Sequence, residues 1–302
     1  MRAFAAFLLL LAVALAVVAL GTYPAWLLLH PHFDFPFHRI GERLGMLALA
    51  AGFLLVARRL KLADRASLGY GAPRPQFVRE MLIGLALGVA TMLIIVAGMS
   101  ALGLLDWSRA ADLSPGALAR LLAASLASGL AVALIEETFV RGAMYTAIQR
   151  EAGARTAVLL TSLLYAATHF FGKVRIAPED VTPWSGVALL GQSLQAFAHF
   201  AGIVDAFLAL TAVGVVLSLV RQATGNIAAC LGLHAGWVWV MLLAHELSAP
   251  RRDAPLGFLL SRFDGFVGWL VLGWTVLLAV PLWRFYTARA AAIAKKSFSR
   301  TP

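Results

Sequence analysis

Apolar residues run through this chain in long stretches, and polar ones are confined to short gaps between them. Stretches of about 18 or more nearly uncharged residues are long enough to cross roughly 30 Å of hydrocarbon as helices. Eight spans are predicted on this pattern, at 3–29, about 44–57, 81–104, 118–147, 156–171, 203–220, 226–247 and 264–284. The first exceeds the roughly 7–15 apolar residues of a signal peptide, so a retained helix is expected. Residues 185–200 carry Gln192, Gln195 and His199 on an apolar background, which predicts an extra interfacial or re-entrant helix. Gly84 and Gly88 form a small-xxx-small pair that predicts close helix packing.

Composition agrees with the pattern. Of 302 residues, 61% are hydrophobic and 13% charged, with a mean hydropathy of +0.84. A soluble domain carries about a quarter charged residues. The expected fold is therefore an all-α polytopic membrane protein, a single bundle over 1–302 with no internal repeat and no second domain. Its only cysteine, Cys230, excludes a disulfide framework.

The formal charge of +10 does not imply a nucleic-acid partner, because the basic residues fall in short loops and in the amphipathic tail 285–302. With the N-terminus inside and eight spans, fifteen of the 25 Lys and Arg lie inside and nine outside, counting Arg120 and Arg284 at the span ends, and Arg141 alone is left deep within a span. That bias places both termini in the cytoplasm. Membrane lipids are the expected surroundings. High Ala, Leu and Arg content with no organelle-targeting segment suggests a bacterial inner membrane.

The stretch Ile135-Glu136-Glu137-Thr138-Phe139-Val140-Arg141 breaks the fourth apolar run. Ionisable groups at such depth cost several kcal/mol unless paired or hydrated. Glu137 and Arg141 are four apart with Glu first, the favoured order for an intrahelical ion pair. Glu136 is rotated about 100° away. One carboxylate can thus be held by arginine while the other stays available for acid–base work. Two carboxylates and one arginine leave a carboxylate that needs a proton or another partner. Tyr165 and His169 lie one turn apart on the fifth span, and His234 lies on the seventh, ahead of Gly236, Trp237 and Trp239. Counting about 1.5 Å per residue from the helix ends brings Glu136, His169 and His234 to similar depth.

These motifs resemble the CPBP family of CAAX-processing and bacteriocin-processing membrane proteases. EETFVR matches its EExxxR motif, YAATH its FxxxH motif with tyrosine for phenylalanine, and LVRQATGNIAACLGLHAGWVW its last motif region. The resemblance spans about 118–247. It implies an intramembrane endopeptidase in which Glu136 activates a water, assisted by His169. His234 stabilises the oxyanion, and Glu137 with Arg141 fixes the geometry. The implied substrate is a membrane-associated peptide or protein, such as a prenylated tail or a bacteriocin leader. The family carries Asn or Asp four residues after its last histidine, and here that position is Val238; either another group, such as Asn226 or a backbone amide, takes over its role, or the activity is altered. Two histidines and a glutamate are a legal zinc set, but the HExxH spacing is absent, so a metal-free, cofactor-free site is expected.

Other polar residues have plainer readings. Asp205 is read as a helix cap, and His30, His32 and His38 as an aromatic interfacial loop. Two rival functions remain open on the residues alone: a proton-coupled transporter using Glu136, His169 and Asp205 as a relay, and a non-catalytic scaffold with the same fold.

Overall fold

A computed structural model of the chain describes residues 1–111, 113–171 and 174–298. Lys173 and Arg300 of the topology count, with the last residues of the tail, lie outside the described residues. The protein is helical throughout. Its long helices are α1 (Arg2–Leu29), α2 (Phe37–Arg59), α3 (Arg74–Ala101), α5 (Pro115–Glu137), α6 (Tyr145–Thr168), α9 (Val204–Thr224), α10 (Ala228–Leu247) and α11 (Trp269–Phe298). Between them lie the short α4 (Ser108–Ala111), α7 (Ser185–Ser193) and α8 (Gln195–Ala198). A π-helical segment, Thr138–Met144, joins α5 to α6.

Among the described residues seven apolar stretches are long enough to cross a membrane, one of them the continuous 54 residues of Pro115–Thr168. Gly153 breaks that stretch with φ 85° and ψ 167°, a left-handed conformation that suits glycine. The break yields two spans and brings the number to eight. The surfaces of these helices are apolar on the outside: Leu20, Leu28 and Leu277 are each at least 70% exposed. Bilayer lipid, not water, is the solvent that tolerates such a surface. The protein is an integral membrane protein.

The chain divides into two compact units, 1–63 with 167–203 and 64–166 with 204–302. In the first, α1 packs along α2 and against α7. Gly186 of α7 lies so close to the Ala19 carbonyl that no side chain fits there. Thus 185–200 is a short helix of nine residues followed by irregular turns, too short to span.

In the second unit α10 is the central helix, packed against α3, α5 and α9, while α11 packs on α9. Gly84 and Gly88 make the close approach expected of them. A Cβ on either would stand 2.5 Å from a carbonyl oxygen of α10, that of Ala229 or Leu233. A two-residue antiparallel ladder, β1 (Leu105–Asp106) with β2 (Ala249–Pro250), ties the loops at one end. Helix bounds differ from expectation at several places: α2 begins at Phe37, seven residues before its expected span, and α11 at Trp269, five residues after its own. α3 begins at Arg74, seven residues before the expected span, and α11 continues unbroken from its span into the tail.

Candidate active site

Glu136 and Glu137 are the last two residues of α5, just before the chain widens into the π segment. Tertiary contacts hold the widened turns open. Thr138 Oγ1 donates back to the Leu134 carbonyl at 2.5 Å and bonds the Tyr70 hydroxyl at 2.5 Å. Gly142 presses on the Leu68 backbone, where a Cβ would stand 2.6 Å from the carbonyl oxygen. From α9, Arg221 Nε donates to the Arg141 carbonyl at 3.1 Å, and its Nη2 reaches Thr146 Oγ1 at 3.4 Å. π-Bulges of this kind are frequent at functional sites.

The arginine and one carboxylate are fully enclosed. Glu137 and Arg141 are each 0% exposed, with Arg141 Nη1 donating to Glu137 Oε1 at 3.1 Å. Arg141 Nη2 donates to the Gly214 carbonyl of α9 at 3.3 Å. Its guanidinium lies 4.5 Å from the Tyr165 ring centre, a cation–π contact in a desolvated setting. The ion pair expected from the four-residue spacing is present.

His234, on α10, completes the cluster. Its Nδ1 is 2.8 Å from Glu137 Oε1, and its Nε2 is 3.9 Å from Glu136 Oε2. Tyr165 meets the imidazole edge-on, with ring centres 6.0 Å apart. Glu136 is the open member, its side chain 33% exposed against 0% for Glu137. Its Oε2, however, is buried on the His234 side, and like Glu137 Oε2 and Arg141 Nε it has no hydrogen-bond partner among the described residues. Two carboxylates face one guanidinium and one imidazole. The partner that the two carboxylates lacked on spacing alone is thus His234, bonded to the buried carboxylate and not to the open one.

His169 stands in the turn after α6, half-buried, in the first of the two units, whereas Glu136, Glu137, Arg141 and His234 stand in the second. Val238, one turn beyond His234, is half-buried and offers no polar group. Asn226 is spent on the start of α10: its Oδ1 accepts from the Ala228 amide and its Nδ2 donates to the Thr224 carbonyl. Asp205 lies within the first turn of α9 and accepts from the Arg262 amide at 3.4 Å, tying down a loop. Arg221, one of the basic residues counted between spans, is 6% exposed and grips the π segment instead. Its sequence signal is its place in the LVRQATG stretch that opens the last motif region. Among the described residues no three His, Cys, Asp or Glu side chains are grouped to hold a metal ion.

Residues 118–240 match the family model described as type II CAAX prenyl endopeptidase Rce1-like. This region is Rce1-like. The Rce1-like region runs from the second turn of α5 into α10, and it contains both glutamates, Arg141, His169 and His234. It ends seven residues short of the core expected from the motifs. No curated protein and no solved structure matches the chain. Proteolysis of membrane-associated prenyl peptides is the activity that names the family.

Proposed function

We propose that the protein is an intramembrane endopeptidase that hydrolyses a peptide bond near the C-terminus of a membrane-anchored, prenylated substrate. The observation that carries this is the split environment of the two adjacent carboxylates: Glu137 is enclosed and ion-paired, and Glu136 is open beside an imidazole. Glu136 takes a proton from a water whose oxygen attacks the scissile carbonyl. His234 Nε2 donates to the oxygen on which negative charge develops, an interaction commonly worth about 10²–10³ in rate. The protonated Glu136 then delivers its proton to the leaving amine as the C–N bond breaks. Glu137 orients His234 through Nδ1, and Arg141 holds Glu137. His169 is assigned its assisting role by the family motif. The excess of basic residues in the loops on one side supports cytoplasmic termini.

The test is cleavage in proteoliposomes of two peptides of identical sequence, one farnesylated and one not, with products identified by mass. We expect cleavage of the farnesylated peptide at a single bond. Absence of any cleavage by protein shown to be folded, or equal cleavage of both peptides, contradicts the proposal.

A further inference from the structure

A cavity of about 170 Å³ lies in the second unit, apart from the residues of the acid–imidazole cluster. It is lined by Gln76 and Glu80 of α3, Thr224 and Asn226 at the α9–α10 junction, and Tyr286 and Arg289 of α11. The volume is well over the roughly 10–15 Å³ that one water needs.

The polar groups of this lining are unevenly satisfied. Thr224 Oγ1 donates within its own turn, to the Val220 or Asn226 carbonyl, and both ends of the Asn226 amide are engaged. Glu80, 3% exposed, is met by Arg289 Nε alone, at 2.9 and 2.8 Å from its two oxygens. Arg289 Nη2 and the hydroxyl of Tyr286, a residue 0% exposed, are buried with no partner among the described residues. What is missing here is an acceptor. A buried donor left unmet is costly, and a guanidinium edge together with a phenol suits a phosphate, whose oxygens accept several hydrogen bonds at once.

Position narrows the source. The cavity is formed where α3 and α10 begin and where α9 and α11 run past their apolar cores. Arg74 and Arg79 stand in the first two turns of α3, and Arg284 precedes Tyr286 by two residues on α11. Basic residues at the end of a span gather anionic lipid. We propose that this cavity is a binding site for the phosphate of an anionic lipid headgroup, received by Arg289 and Tyr286.

Delipidated full-length protein in neutral detergent is titrated with three soluble probes while its melting temperature is followed. These are dihexanoyl phosphatidic acid, dihexanoylglycerol and inorganic phosphate. We expect a saturable rise with phosphatidic acid and none with the other two. Tyr286→Phe, which removes only the hydroxyl, is expected to weaken the half-saturating concentration about tenfold, as for one hydrogen bond to a charged group. Gln76→Ala, on a half-buried residue one turn before Glu80 that makes no bond in the Glu80–Arg289 pair, tests the same wall and is expected to weaken it severalfold. No saturable rise, or one of equal strength in wild type and both variants, overturns the proposal. A rise of the same size with inorganic phosphate overturns the assignment to lipid and assigns the cavity to phosphate from solution.

Discussion

Glu137 Oε1 lies 2.8 Å from His234 Nδ1, joining α5 and α10 across 97 residues of sequence. The same oxygen takes Arg141 Nη1 at 3.1 Å. One buried carboxylate therefore orients an imidazole and neutralises a guanidinium through a single oxygen, while its neighbour Glu136 is bonded to neither and keeps a third of its side chain exposed.

The two glutamates are expected to fail in different ways when replaced. Glu137→Ala leaves Arg141 buried without its counter-charge, a loss of about 3–5 kcal/mol in stability. Glu136→Ala removes a half-exposed side chain and is expected to cost under about 1 kcal/mol. Denaturant titration of both variants in mild detergent measures the difference directly.

Arg221 acts on the site through backbone, by its bond to the Arg141 carbonyl. Arg221→Gln is expected to lower kcat by about tenfold or more, since small displacements of reacting groups are costly, and to leave KM within about twofold. A change confined to KM would place Arg221 outside the positioning of the acid pair.

Gly142→Ala introduces a methyl group 2.6 Å from the Leu68 carbonyl oxygen. Overpacking of this kind costs about 1–3 kcal/mol, and the π segment should shift to relieve it. We expect a lower melting temperature together with reduced cleavage. Full retention of both would mean that the close approach has no bearing on the site.

On the proposed mechanism, in which Glu136 activates the water, the reaction calls for no metal. Incubation with o-phenanthroline or EDTA followed by desalting is expected to leave the cleavage rate within about twofold of the untreated protein. Loss of activity restored by zinc would reassign the histidines as ligands.

The spans were legible because bilayer thickness sets a minimum run of uncharged residues, and the Glu137–Arg141 pair because it is local, fixed by the rise of one helix turn. Pairings between distant segments were not. α3 starts seven residues before its apolar run, and Glu80 in those added turns is matched by Arg289, 209 positions away. Similar depth of Glu136 and His234 on their helices did not say which glutamate the imidazole would bond, since depth carries no information on rotation about the axis. Nor does any local propensity mark the π segment. Its supports, Tyr70, Leu68 and Arg221, come from elsewhere in the second unit.

The most direct test is the cleavage rate of Glu136→Gln, an isosteric change at the one carboxylate assigned to the chemistry, measured on farnesylated peptide in proteoliposomes beside its melting temperature. We expect kcat to fall by about 10²–10⁴, the usual range for a lost general base, with the melting temperature within a few degrees of wild type. Cleavage at the wild-type rate by the folded variant would contradict hydrolysis through Glu136.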